Sequence, residues 1–541
     1  MKKYLLLAII LLPTFGSFVR SGIYSMQDFP YFRLVEYHTC FVDKQFPCRW
    51  AASAGFGFGE PVFNFYSHIP FFAGAVLMNL GIGGLTSLKI LFAASLLLSG
   101  FGMFLLSKKI WENDYSAFLS SILYVYAPYR AVNVWVRGAL PESFAFILLP
   151  FILLTFENYK TSKKSLWLIC FSVLLSVLIL THNLSVLLFA PVIIGFIAIR
   201  LYTSRSIRLL FPLILSAVFA LFLSAFYLLP AIFEAQLVNL QTTTQGYFDF
   251  RAHFVTVPQL FLSRFWGYGG STWGDQDGLS FAVGQIQWVI AVFVGITTVY
   301  NFLKKKRDTR QVLVFWLLFI CSFCLFLTHN KSAFLWEAFS GFSQYIQFPW
   351  RFLGVTLFIL ALVAGYIPFN FKKYAKSIAV LVIILTIGLN VSFFKEDFWR
   401  YVTDMDMQTG STWIEQTSAS RGDYWPKYGP VPNEFASAVN GIREITRSSS
   451  GASYIYNSVS ADSVSVPISF YPGWSGMVNG KEVTLSYDNQ GRISIPVISG
   501  ENNIKLTLES TPIQKFGNVI SLLTLTMLLL YTGYLINKRK K

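Results

Sequence analysis

Long apolar runs separated by short polar ones set the pattern of this chain. The first, Tyr4 to Val19 behind Lys2 and Lys3, has no small-residue cleavage site and is followed by Arg20, which predicts a retained span and not a signal peptide. Eleven further runs near 86–107, 115–132, 143–158, 165–181, 184–201, 209–230, 283–303, 311–328, 350–369, 377–394 and 516–536 approach the roughly 20 residues a spanning helix needs. Ile69 to Leu80 is shorter and contains Pro70, Gly74 and Asn79, so it is expected to lie along the surface. Beyond residue 395 the period falls to two, as in Val464–Phe470 and Asn503–Leu508, with turn signals at Asn479-Gly480 and Asn489–Gly491. The pattern predicts an all-α polytopic membrane protein of about 12 transmembrane helices with a small β-rich extracytoplasmic C-terminal domain. The expected divisions are a transmembrane domain over 1–394 with outer loops 21–85 and 231–282, a β-rich domain over 395–512, and a final helix with a basic tail over 513–541.

Composition agrees. At 54% hydrophobic and 13% charged residues, with mean hydropathy +0.53, the chain falls outside the soluble globular class, in which about a quarter of residues are charged. A net charge of +16 would suit nucleic acid, but the cations sit in short clusters between apolar runs, so no nucleic-acid partner is expected. If Ile69–Leu80 does not cross, one face receives Lys2–Lys3, Lys108–Lys109, Lys160–Lys164, Arg200–Arg208, Lys304–Arg310, Lys372–Lys376 and Lys538–Lys541. Those clusters hold 22 cations against four acids, leaving 21 cations and 23 acids elsewhere. Lys and Arg favour the cytoplasmic side, which places both termini inside and the protein in the cell membrane.

Polar side chains at the opposite ends of the spans are the functional candidates, because polar groups at that depth are costly. Asp28 follows the first span closely, and a carboxylate there can accept a proton or hold a metal; the bland alternative is a turn residue before Pro30. Arg130, Arg137 and Glu142 occupy the turn between the third and fourth spans, where guanidiniums can clamp a phosphate or Arg137 and Glu142 can simply pair. His182 and Asn183 end the fifth span and Arg351 opens the tenth. Together they suit an anionic lipid headgroup. Glu60 is a second acid in the first loop, or only a loop residue before Pro61, and Trp474 is a sugar-stacking platform or a packed turn residue. Cys40 and Cys48 share the first loop as a disulfide or as free thiols. Cys321 and Cys324 read as core, and Gly55–Gly59 lacks the Lys and context of a phosphate loop.

These stretches carry a resemblance. Gln27-Asp28, Gln45–Pro47, Gly55–Gly59 through Asn64-Phe-Tyr66, Ala127-Pro-Tyr-Arg130, Val136–Ala139 with Glu142, Thr181-His-Asn183, Gln347–Arg351, Asp423–Lys427 and Tyr471–Trp474 with Asn479-Gly480 resemble the YfhO-like and 6-pyruvoyl-tetrahydropterin synthase-related bacterial membrane proteins of the GT-C glycosyltransferase superfamily. The resemblance implies a GT-C-like fold. It also implies inverting transfer of a sugar from a polyprenyl-phosphate donor to a lipid or cell-envelope acceptor on the extracytoplasmic face. Asp28 would be the base, with Glu60 as the second acidic candidate, and Arg130, Arg137 and Arg351 would hold the phosphate. Relatives carry His near the first-loop acid, where this chain has Gln27, Phe32 and Arg33, so a divalent metal is left open, with His38 as a substitute ligand. A lipid-linked saccharide transporter would put ionisable groups at several span centres, which are nearly free of them here. A non-catalytic envelope assembly protein is the other alternative.

Overall fold

The computed structural model describes the 541-residue chain except residues 1, 241–243, 275, 307, 419–421, 437–440 and 541, and the side chains of 539 and 540. Arg307 and Lys541 of the basic clusters therefore lie outside the described residues, as do parts of the 231–282 loop and the 395–512 block. Among the described residues, eight helices are long and apolar enough to cross a membrane: Gly84–Trp111, Leu140–Ser162, Asn183–Thr203, Gln285–Leu303, Thr309–Thr328, Pro349–Asn370, Lys372–Phe393 and Pro512–Lys538. A ninth is possible if Ile207–Leu223 and Ala225–Phe233, bent by 70°, form one span. The chain thus fits a multi-pass membrane protein.

The expected count of about twelve spans is met only in part, and local backbone chemistry accounts for several of the shorter helices. The first α-helix, Lys2–Leu11, gives way to 3₁₀ turns at Leu12–Thr14 and Gly16–Val19, the first of them opened by Pro13. The run at 115–132 is a 12-residue helix, Asp114–Val125, because Pro128 forces Ala127 into an extended conformation (ψ 135°). Leu166–Thr181 is 16 residues long and stops at an extended His182. Ile69–Asn79 is a short helix between Pro30–Val42 and Gly84–Trp111. Gly74 permits that approach, since a Cβ there would lie 2.4 Å from Leu34 Cδ1.

Ion pairs knit the basic loops at one end of the bundle. Asp114 pairs with Lys3 and with Lys108 (3.1 Å), Arg310 with Glu112 (2.8 Å), and Arg200 Nη2 donates to Glu157 (2.9 Å). At the other end the first loop packs on the C-terminal block. Ile23–Tyr24 pairs with Trp399–Arg400, Tyr31 OH donates to Asp404 Oδ1 (2.8 Å), and Gln45 Nε2 donates to the Ser449 carbonyl (2.9 Å). Cys40 and Cys48 form a disulfide with a Cα–Cα distance of 5.5 Å.

The C-terminal strands make two antiparallel sheets. One runs Ile442–Ser448, Gly451–Ser458, Gly500–Leu508, Trp474–Val478, Lys481–Val483, and the other Asp462–Ser469, Arg492–Val497, Ser486–Tyr487. Asn479 (φ 52°) and Gly480 (φ 77°) close the two-residue hairpin that their sequence predicts. Apolar faces of both sheets, including Val466, Ile493, Ile495 and Leu506, share one core with Trp50 of the first loop.

Glu234 joins these parts. Its buried carboxylate accepts from Asn64 Nδ2 (3.2 Å), Tyr471 OH (2.8 Å), Gln514 Nε2 (2.9 Å) and Thr511 Oγ1, which belong respectively to the first loop, a turn between the C-terminal strands, the final helix and the residue before it. Replacing it with Leu strands four polar groups and the nearby charge of Arg49. Glu234→Leu is expected to cost about 3 kcal/mol or more, read as a lowered thermal midpoint of the purified protein; an unchanged midpoint would contradict this role.

Candidate active site

The site begins with the break at Pro128. Beyond it the backbone widens into a π-helical turn over Val132–Val136, and Gly138, at φ 66°, turns the chain into helix Leu140–Ser162. A side chain at Gly138 would collide with Met26, 2.8 Å from its Sδ. The widened turn puts Asn133, Arg137 and Glu142 together. Arg137 Nη1 donates to Glu142 Oε2 (2.7 Å) and to Asn133 Oδ1, while Tyr129 OH (2.8 Å) and Asn133 Nδ2 (3.2 Å) donate to Glu142 Oε1. The guanidinium also lies over the Trp350 ring at 4.8 Å.

The first loop is latched to this turn by its main chain. Gln27 N–H donates to the Val136 carbonyl (3.0 Å) and Asp28 N–H to that of Arg137 (2.9 Å). Asp28 Oδ1 accepts from Phe29 N–H (2.9 Å) and Arg33 Nη1 (2.5 Å), leaving Oδ2 with no hydrogen-bond partner among the described residues. Arg33 in turn stacks over Tyr66 at 4.5 Å. Burial disfavours its charged form, but the Asp28 carboxylate outweighs that and holds the guanidinium above its ordinary value. Tyr66 reports the whole cluster: burial raises its phenol, and the charges acting on it are those of Arg33, Asp28, Arg137 and Arg351.

Arg351 completes the group. Its Nη1 donates to the Ile346 carbonyl and Gln347 Oε1, both at 2.7 Å, and its buried Nε–H has no partner among the described residues. His182 bonds Ser185 Oγ through Nδ1 (2.7 Å) and faces the charges of Glu142, Arg351 and Arg137. Asn183 donates to Tyr227 OH (3.3 Å). A cavity of about 90 Å³ opens beside Asp28, with Arg400, Thr412 and Glu415 also in its lining.

Three sequence candidates stand apart from this cluster. Arg130 is fully buried between helices, donating to the Ser95 carbonyl (3.1 Å) and Ser99 Oγ (3.1 Å) beneath Phe146. It feels the charge of Glu142 but offers no surface to a ligand. Glu60 is likewise fully buried, in a loop whose ends pair at Ala51 and Glu60 under Trp425, so no acceptor hydroxyl reaches it. Trp474 packs edge-on against Trp50 (5.6 Å, 88°) inside the β core, with no ring face free for a sugar.

His38 stands about 12 Å along its helix from Pro30, at roughly 1.5 Å per residue, too far to share an ion with Asp28. Among the described residues no three His, Cys, Asp or Glu side chains converge as metal ligands. Arg33, Tyr66, Tyr129, Trp350 and Tyr424 also belong to this cluster, although none of them is a site candidate on the sequence alone. Tyr424 stacks on Phe65 (5.5 Å, 13°) and acts on Tyr66 and Arg33. Only the spacing of Arg33 five residues after Asp28 was visible as a signal.

No protein-family model matches the chain, and no curated protein does. Among solved structures it is similar to the oligosaccharyltransferase of Archaeoglobus fulgidus in complex with zinc and sulfate, at 12% identity over 72% of this chain and 52% of that one, with a TM-score of 0.41. The same enzyme tethered to an acceptor peptide containing the NVT sequon is 11% identical over 74% and 55%, with a TM-score of 0.43. The chain spans about half the length of these proteins, and at such TM-scores the likeness carries no argument about fold or activity.

The buried Arg137–Glu142 pair has a measurable signature. Glu142→Gln leaves a buried guanidinium without its counter-charge and is expected to cost about 3 kcal/mol. Arg137→Gln added to it should cost much less than the two single changes together. Additive thermal shifts in detergent would contradict the pairing.

Proposed function

We propose that the chain is a membrane glycosyltransferase of the GT-C type that moves a sugar from a polyprenyl-phosphate donor to a lipid or cell-envelope acceptor on the extracytoplasmic face. The observation that carries this reading is a carboxylate with one oxygen unengaged, held by main-chain hydrogen bonds to the turn that carries Arg137, with Arg351 acting on the same Tyr66. The resemblance of the Gln27-Asp28, Val136–Ala139 and Gln347–Arg351 stretches to the YfhO-like proteins supports it.

In this reading the acceptor hydroxyl approaches through the cavity between Asp28 and Glu415, and Asp28 Oδ2 takes its proton. The new bond forms between the acceptor oxygen and the anomeric carbon while the bond from that carbon to the donor phosphate breaks, with inversion. Positive character develops on the sugar and negative charge on the departing phosphate. Arg351, with an unpartnered Nε–H, and Arg137 receive the phosphate, and Glu142 fixes the Arg137 fork. Arg33 is a positioning residue that holds Asp28 in one rotamer.

Membranes containing wild-type protein are expected to transfer radiolabelled sugar from a polyprenyl-phosphate donor. Asp28→Asn, at equal abundance, should lower the rate by about 10²-fold or more, the range of a general base. Undiminished transfer by Asp28→Asn would overturn its role, and absence of transfer by the wild type with every donor tried would overturn the reading.

A further inference from the structure

A second, larger cavity of about 230 Å³ lies where the disulfide-closed loop, the β-sheets and the start of the final helix meet. Lys44, Arg49, Trp50, Tyr471, Glu509 and Gln514 are among its lining residues. Arg49 is buried (6% exposed) and heavily used: Nη1 donates to Asn64 Oδ1 (3.1 Å), and Nη2 donates to the Phe226 carbonyl (3.2 Å) and to Asn518 Oδ1 (3.0 Å). Its Nε–H is buried and has no partner among the described residues. Lys44 makes no ion pair among the described residues and holds a left-handed backbone (φ 59°) just past helix Pro30–Val42, where Gly or Asn is the low-cost choice. The acid lining the cavity, Glu509, is engaged by Lys515 (3.7 Å). Glu234 offsets Arg49, so Lys44 remains the surplus charge.

Position names the ligand. Asn518, which Arg49 reaches, lies six residues into the final helix, about 9 Å from its start at 1.5 Å per residue. On that helix Phe516, Val519, Leu522 and Leu523 are all exposed, as a lipid-facing surface requires. The cavity therefore opens at the depth of headgroups, beside acyl chains. A donor N–H without an acceptor and an ammonium without an ion pair, both on residues lining one cavity, match a phosphate oxygen.

We propose that this cavity binds a phosphate group carried by an anionic lipid headgroup, held by Lys44 Nζ and Arg49 Nε–H, and that the lipid seals the seam between the first loop, the sheets and the final helix. The site is separate from the Asp28 cluster and does not depend on the activity proposed for it.

The test uses the full-length protein in detergent, titrated with phosphatidylglycerol, with phosphatidylcholine, and in parallel with inorganic phosphate, bound ligand being counted by native mass spectrometry. Wild type should retain one phosphatidylglycerol in preference to phosphatidylcholine. Lys44→Glu should weaken that binding about tenfold or more, the size of one charge-assisted contact. Lys481→Glu, a charge control on a hairpin outside the cavity, should leave it unchanged. Because Arg49 also ties the final helix, Lys44 carries the test. Saturable inorganic phosphate binding with the same Lys44 dependence and no lipid retention would keep the anion site and assign it to free phosphate. Equal lipid binding by wild type and Lys44→Glu, or equal loss in Lys44→Glu and Lys481→Glu, would overturn the proposal.

Discussion

Two main-chain hydrogen bonds, from Gln27 and Asp28 to the carbonyls of Val136 and Arg137, hold the candidate site together. Side chains in this region pair in several ways, but the amides leave Asp28 no freedom to leave the arginine turn. The latch exists because the turn is irregular. A helix running on past Arg137 would spend these carbonyls internally, whereas the π turn ends at Gly138 (φ 66°) and leaves Val136 and Arg137 free to accept from the first loop.

Around this latch, charge is distributed with little surplus. Arg33 and Arg137 each face a carboxylate, and Arg351 is satisfied mainly by a carbonyl and an amide oxygen. An isolated guanidinium in such surroundings is costly, and an arriving phosphate would relieve that cost. Burying a cation that needs an anion is a plain physical device for binding one. The aromatic walls, Trp350 under Arg137 and Tyr66 under Arg33, fix the guanidinium planes without neutralising them.

Much of this was legible in the sequence because polar groups near the hydrocarbon need a reason to be there. Asp28, Arg137, Glu142, His182 and Arg351 stood out for that reason, and the structure brings them to one cluster. Arg130 stood out on the same ground and is instead locked between helices, since a Pro-Tyr-Arg segment does not reveal which way its arginine faces. Tyr66 and Tyr424 gave no sign of a place near Asp28 because that relation is tertiary, whereas Arg33, five residues after Asp28, pairs with it locally. Apolar run length alone overstates the number of long helices: in the run at 115–132, Pro128 disrupts helix at its own and its preceding residue and leaves only Asp114–Val125. The bend at Ser224 left no comparable mark. In the C-terminal block the period-two stretches and the Asn479-Gly480 turn were informative because a half-buried sheet writes its alternation directly into the chain.

The account rests on the first loop and the C-terminal sheets sharing one side of the membrane, opposite the basic loops. Single cysteines at the exposed positions Val42, Val459 and Lys163, treated in intact cells with a membrane-impermeant thiol reagent, test this most directly. The account predicts that Val42→Cys and Val459→Cys are labelled in intact cells and Lys163→Cys only after permeabilisation. Labelling of Val42→Cys and Val459→Cys from opposite sides, or of Lys163→Cys together with Val42→Cys, would contradict it.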